Sequence, residues 1–143
     1  MKIKRFLLAS LLVFIAFQGM DYIIHTLLLG DAYMQTMNIW RQDMMSLMWV
    51  MLITGALLSL VFVYLYVKSF GGSGIKGGAW FGLIAGLMLV GVGAFNQYVV
   101  YPVPLSLAVQ WFVYGMVEFV VAGIITALVY DGSNTDEWDR SEV

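Results

Sequence analysis

Residues 6–29 read FLLASLLVFIAFQGMDYIIHTLLL, an apolar stretch interrupted by one acid, Asp21, and one histidine, His25. A helix rises about 1.5 Å per residue, so a helix of this length is long enough to cross a hydrocarbon core about 30 Å thick. The length and apolarity of the stretch predict a transmembrane helix. The acid and the imidazole within it then need an explanation.

The composition of the whole chain agrees with a membrane environment. Of its 143 residues, 62% are hydrophobic and only 11% are charged, and the mean hydropathy is +0.87. A typical soluble domain is about half apolar and about one quarter charged. A soluble domain of this size has too little interior to bury so much apolar surface, so lipid must cover much of it.

Three further apolar segments have the length of a membrane span. The four segments cover about residues 6–29, 44–67, 78–100 and 105–130, and the breaks between them are polar, glycine-rich or proline-containing. Isolated strands leave backbone groups unsatisfied in lipid, which leaves helices as the assignment. We therefore predict an all-α integral membrane four-helix bundle formed by residues 1–130. Residues 131–143, DGSNTDEWDRSEV, are predicted to form a disordered acidic cytoplasmic tail.

Basic residues in the short loops predict how the chain is threaded. One side of the predicted membrane carries Lys2, Lys4, Arg5, Lys68, Lys76 and Arg140, and the other side carries Arg41. The positive-inside rule places both termini in the cytoplasm. The first segment lacks a small-residue cleavage site and contains Asp21, so it is predicted to be a retained helix and not a signal peptide.

The glycines of the third segment follow a four-residue spacing. Gly74, Gly78, Gly82 and Gly86 lie on one helical face, where small residues allow close helix packing in lipid. We expect this face to pack within the chain, although packing between copies is the alternative. The preceding GGSGIKGG stretch contains a G-x-G-x-x-G pattern, but it joins two membrane helices, which is the wrong context for a dinucleotide site.

Polar side chains recur in the predicted outer half of three helices. This candidate intramembrane polar cluster comprises Gln18, Asp21, His25, Asn96, Gln97, Gln110, Tyr114 and Glu118. From the helical rise, His25 and Asp21 lie about 6 and 12 Å below the outer end of the first helix, and Glu118 lies near the midplane. Polar groups in a membrane normally face one another, so we expect these side chains to meet.

Two explanations of the cluster remain open. A hydrogen-bonded clamp would pair His25 with Asp21 and bond a neutral Glu118 to a neighbouring helix. A proton or cation relay, or a small-ligand pocket, would instead run from Glu118 through Tyr114 and Asp21 to His25. Tryptophans and tyrosines near the helix ends, including Trp40 and Trp111, are interpreted as an interfacial aromatic belt.

Catalytic and metal sites receive little support from the sequence. His25, Asp21 and Glu118 are a weak metal-ligand set because zinc usually binds more nitrogen or sulfur, and the chain has no cysteine. The serines show no nucleophile motif. We therefore expect no metal, no cofactor and no enzymatic activity. The expected partners are the lipid bilayer and another membrane protein or a second copy of the chain, not nucleic acid.

The stretch MDYIIHTLLLGDAYMQTMNIWR and the final YPVPLSLAVQWFVYGMVEFVVAGIITALVY resemble a group of small, functionally uncharacterised bacterial four-helix membrane proteins. The resemblance implies a bacterial inner-membrane protein, and it places Asp21, His25, Tyr33, Trp40, Arg41 and Glu118 at matching positions. It implies no activity. Together these features predict a non-enzymatic accessory or ligand-binding role, with a proton, cation or small-solute translocator as the alternative.

Overall fold

The computed structural model describes residues 2–132, and within that range the secondary structure is helical, without strands. The acidic tail predicted for residues 131–143 therefore lies almost wholly outside the described residues. Four helices are long and apolar enough to cross a membrane: span 1 (Ile3–Leu28), span 2 (Met44–Ser69), span 3 (Gly74–Val100) and span 4 (Leu105–Tyr130).

The prediction of four apolar helices is confirmed, and the spans indicate a multi-pass membrane protein. Span 3 begins four residues earlier than predicted, at Gly74. The turn that leads into it includes Gly72 and ends at Gly74, the first residue of the span; their φ angles are +88° and +65°, which glycine adopts without steric cost. Large hydrophobic side chains cover the outside of every span, as expected where lipid is the solvent.

Span 4 lies at the centre of the arrangement. It packs against span 3 and span 1, and span 1 packs in turn against span 2. The contact between spans 3 and 4 is the closest, because glycines line it on both sides. A Cβ atom added to Gly82 would lie 2.8 Å from the carbonyl carbon of Phe119, and one added to Gly123 would lie 2.9 Å from the carbonyl carbon of Gly78.

The predicted glycine face thus packs within the chain along part of its length. Gly78, Gly82 and Gly86 are buried against span 4. Gly74 does not belong to this packed face, since a Cβ atom there would meet nothing within 4 Å. Its left-handed backbone conformation places it in the turn, where helical spacing no longer determines its direction.

Phenylalanines fill the interior of the spans on the side of Glu118 that faces away from the connection between spans 1 and 2. The rings of Phe17 and Phe119 lie 5.2 Å apart, and that of Phe62 lies 5.7 Å from Phe119 and 4.8 Å from Phe81. All four side chains are buried. These rings, which we call the phenylalanine core, join spans 1 to 4 in a continuous apolar layer.

The connection between spans 1 and 2 folds back over one end of the helices. It contains a short helix (Gly30–Gln35) and a 3₁₀ turn (Met37–Ile39), and span 2 then begins with a 3₁₀ turn (Met44–Leu47). Its Tyr33 and Trp40 pack on a small buried cluster that includes Leu29 and Leu107. Span 1 ends in a π-helical segment (Ile23–Leu28), and a second such segment (Leu87–Gly91) interrupts span 3.

Candidate functional site

Two carboxyl groups from different spans meet in the interior. Glu118 of span 4 is 8% exposed, and its carboxyl group lies beside that of Asp21 on span 1. The Oε1 atom of Glu118 is buried without a hydrogen-bonding partner among the described residues. Because two adjacent carboxylates repel strongly in a low dielectric, the pair requires a proton or another positive charge between its members.

His25 extends the series of polar side chains from Asp21 toward the connection between spans 1 and 2. Its Nε2 atom lies 3.6 Å from Oδ1 of Asp21, one helical turn away. The side chains of His25 and Asp21 remain 44% and 45% exposed, so this part of the site opens to its surroundings. A partly exposed acid and imidazole thus lie next to a buried carboxyl group.

Tyr33 links His25 to span 4. Its hydroxyl oxygen lies 2.6 Å from Nδ1 of His25, and the indole Nε1 of Trp111 donates to the same oxygen at 2.7 Å. An indole N–H can only donate, so Tyr33 accepts from Trp111 and its own hydrogen is free to go to His25. This donor order, inferred from the hydrogen-bond network, places the hydrogen of neutral His25 on Nε2, facing Asp21.

Aromatic rings surround the Tyr33 hydroxyl. The Tyr33 ring stacks on the imidazole of His25 at a centroid distance of 5.7 Å, and the rings of Trp40 and Trp111 pack edge to face with their centroids 6.2 Å apart. Trp40 is held in place by donating its Nε1 hydrogen to the hydroxyl of Thr36 at 3.1 Å. Burial raises the pKa of Tyr33 above its ordinary value, so the side chain stays a neutral donor and acceptor at physiological pH.

Part of the predicted polar cluster does not join this site. Asp21, His25 and Glu118 come together, whereas Gln18 lies against span 2 beside Gly55 and Tyr114 packs in the small cluster under the connection. The remaining members point to the outside of the helices; they are Asn96, Gln97 and Gln110. The expectation that polar groups from three spans would face one another is therefore wrong for span 3.

Helix geometry explains the difference. Trp111 lies seven residues before Glu118, and seven residues of α-helix fall only about 20° short of two turns. Gln110 lies eight residues before Glu118, which overshoots two turns by a larger angle. Trp111 therefore shares the face of Glu118 more closely than Gln110 does. In span 3, the π-helical segment Leu87–Gly91 changes the rotation of all later residues relative to a regular α-helix. Ala94, and not Asn96 or Gln97, is the buried residue beyond it.

Two site residues were not assigned to the polar cluster from the sequence. Tyr33 was singled out only by the family resemblance, and Trp111 was interpreted as part of the interfacial belt. The seven-residue spacing from Trp111 to Glu118 was the available signal for Trp111. No comparable signal exists for Tyr33, because its position depends on how the connection folds back.

A second polar contact lies at the opposite end of the spans. The carboxylate of Asp131, just after span 4, accepts hydrogen bonds from the Tyr66 hydroxyl at 2.5 Å and from the backbone N–H groups of Gly72 and Gly74 at 2.9 and 3.1 Å. Tyr66 is fully buried. Asp131 therefore joins the ends of spans 2, 3 and 4, which is a structural role.

Comparisons with known proteins leave the family open. The chain matches no protein-family model, no curated protein and no solved structure. Within residues 2–132, no three His, Cys, Asp or Glu side chains are grouped closely enough to hold a metal ion. The fold indicates a helical multi-pass membrane protein in which a series of polar side chains leads from one end of the helices to a buried acid.

Proposed function

We propose that this protein is a non-enzymatic accessory or ligand-binding protein of the bacterial inner membrane. In this proposal the Asp21–Glu118 pair receives a positively charged or hydrogen-bond-donating group that enters past His25. The buried Oε1 atom of Glu118, which has no partner among the described residues, supplies the acceptor. The half-exposed side chains of Asp21 and His25 supply the entrance.

The series of polar side chains from Tyr33 to Glu118 ends at the phenylalanine core, and this ending supports the proposal. Phe17 and Phe119 lie next in the interior beyond Glu118, in the phenylalanine core that joins all four spans. Within residues 2–132, no hydrogen bond or ion pair continues from Glu118 past these packed rings. A site open at one end and closed by apolar packing at the other suits binding better than translocation.

Translocation remains the second candidate because the site contains groups that can exchange protons in series. Tyr33, His25, Asp21 and Glu118 follow one another through short contacts, as a proton relay would require. For such a relay to operate, the phenylalanine core would have to open. Flux and stability measured on the same variants separate the two candidates.

We expect Asp21→Asn and Glu118→Gln to fold and accumulate normally, because the amides keep the size and much of the hydrogen bonding of the acids. Binding predicts that reconstituted wild-type protein carries no proton or cation flux above that of empty vesicles. Melting temperature and vesicle flux are measured on one preparation, with the exposed Asp31→Asn as control. Wild-type flux that disappears in Glu118→Gln at unchanged melting temperature would establish translocation and refute the proposal.

The proposed threading places both termini in the cytoplasm and the Tyr33 connection in the periplasm. The chain contains no cysteine, so single introduced cysteines can be labelled without background. An impermeant thiol reagent added to cells with a permeabilised outer membrane should label Gln35→Cys and spare Ser73→Cys, both at exposed positions. The reverse pattern, or labelling of both, contradicts this threading.

A further inference from the structure

A cleft of about 400 Å³ lies where the connection between spans 1 and 2 meets span 2. Tyr33 lines it, but the carboxyl groups of Asp21 and Glu118 do not. Four methionines line it: Met34, Met37, Met44 and Met45. They come from the short helix, the turn after it and the start of span 2. The fold thus brings two separate methionine pairs to one cleft.

Contact with lipid does not account well for these methionines. Met34, Met37 and Met45 are 69%, 71% and 76% exposed. Four of the six residues between the two pairs are polar or charged, namely Asn38, Arg41, Gln42 and Asp43, and such a segment does not enter hydrocarbon. The four thioethers therefore flank a polar segment at the end of span 2, where contact with lipid alone does not account for their exposure.

The charged groups at the cleft neutralise each other. Arg41 donates from Nε and Nη2 to the two carboxylate oxygens of Asp43, each at 2.9 Å. This bidentate geometry pairs the two charges directly with each other. The cleft is then lined by neither an unpaired cation nor an unpaired carboxylate, and its four thioether sulfurs outnumber its other neutral side-chain ligands, the Gln42 amide and the Tyr33 hydroxyl.

Thioether sulfur is a soft, polarisable ligand that selects soft metal ions, and it binds hard cations such as Mg²⁺ or Ca²⁺ poorly. The ring of Trp40, which also lines the cleft, adds an electron-rich face that attracts a cation. We propose that the Met34, Met37, Met44 and Met45 cleft binds a soft monovalent metal ion of the copper(I) and silver(I) class.

This proposal goes beyond the ligand-binding role of the Asp21–Glu118 pair and does not depend on it. Thioethers bind the ion here, whereas carboxyl groups form the other site. The sequence predicts no metal for imidazole, carboxylate and thiolate ligands, and thioethers are a different class of ligand. Substitutions in the cleft leave both carboxyl groups in place, so each proposal can fail without the other.

The test uses silver(I) alone as the probe, because silver(I) does not change oxidation state under the conditions of the assay. The purified full-length protein in mild detergent is titrated by isothermal calorimetry. Leucine nearly matches methionine in volume but has no sulfur, so the Met34→Leu/Met37→Leu and Met44→Leu/Met45→Leu double variants remove only the proposed ligands. The matched control is Met48→Leu/Met51→Leu, in span 2 outside the cleft.

We expect wild-type protein and the control to bind silver(I) alike and each cleft variant to bind at least about tenfold more weakly. Loss of outer-shell groups already weakens metal sites about 10-fold, and direct ligands contribute more. Unchanged melting temperatures without silver show that the variants are folded. Absent wild-type binding, equal affinity in the cleft variants, or an equal loss in the control would each overturn the proposal.

Discussion

Replacing Gly82 by leucine is expected to lower the free energy of unfolding by more than about 3 kcal/mol, beyond the usual range for overpacking. An added Cβ atom at Gly82 would lie 2.8 Å from the Cα atom of Val120, which is backbone and cannot move aside alone. Spans 3 and 4 would have to separate along their glycine contact. Thermal unfolding in detergent, followed by circular dichroism, measures the effect.

Gly93→Leu is the matched control for this prediction. It introduces the same side chain in the same span, but a Cβ atom at Gly93 meets nothing within 4 Å. We expect little loss of stability there, and Leu83→Ile should also be mild. If Gly82→Leu does not accumulate, Gly82→Ala compared with Gly93→Ala gives the same comparison with a smaller side chain. Equal stability within the matched pair would show that close packing of spans 3 and 4 is not required.

The second large effect is expected for Asp131→Ala, with a loss of about 3 kcal/mol. Hydrogen bonds to a charged acceptor contribute about 1.5–3 kcal/mol each, and the variant removes three of them. Partial exposure of Asp131 and water at the turn reduce the sum. The buried Tyr66 hydroxyl, left without its acceptor, contributes most of the remaining cost.

A double-mutant cycle isolates the contribution of that hydroxyl. Tyr66→Phe removes the donor, so Asp131→Ala should cost clearly less in the Tyr66→Phe background than in the wild type. The exposed Asp31→Ala should leave the melting temperature nearly unchanged. Additive effects of the Tyr66 and Asp131 substitutions would contradict a direct hydrogen bond between them.

The site shows which residue relationships can be predicted from spacing. Asp21 and His25 are four residues apart in one helix, and the structure places them in contact as the spacing indicates. The same reasoning was wrong for Asn96 and Gln97, because a π-helical segment precedes them and changes their direction. His25 itself lies near the start of a π-helical segment, Ile23–Leu28, and keeps its contact with Asp21. The four-residue spacing therefore holds within one turn, but it fails for residues that lie beyond a complete π-helical segment.

Contacts between residues that are far apart in the sequence could not be predicted from local sequence patterns. Tyr33 reaches both His25 and Trp111 because the connection folds back over the helix ends. Asp131 reaches Tyr66 and the glycine turn, although it had been assigned from composition to a disordered tail. In both cases the arrangement of whole helices determines which residues come into contact.

The sequence by itself determined that the protein has four long apolar helices, because length and hydropathy are properties of each segment alone. It also marked the close-packing face of span 3, since small residues at Gly78, Gly82 and Gly86 repeat with the helical period. Only the tertiary structure decided that this face meets Gly123, that Glu118 lies beside Asp21, and that phenylalanines close the site below them. These contacts depend on the order and rotation of the packed helices, which no single segment specifies.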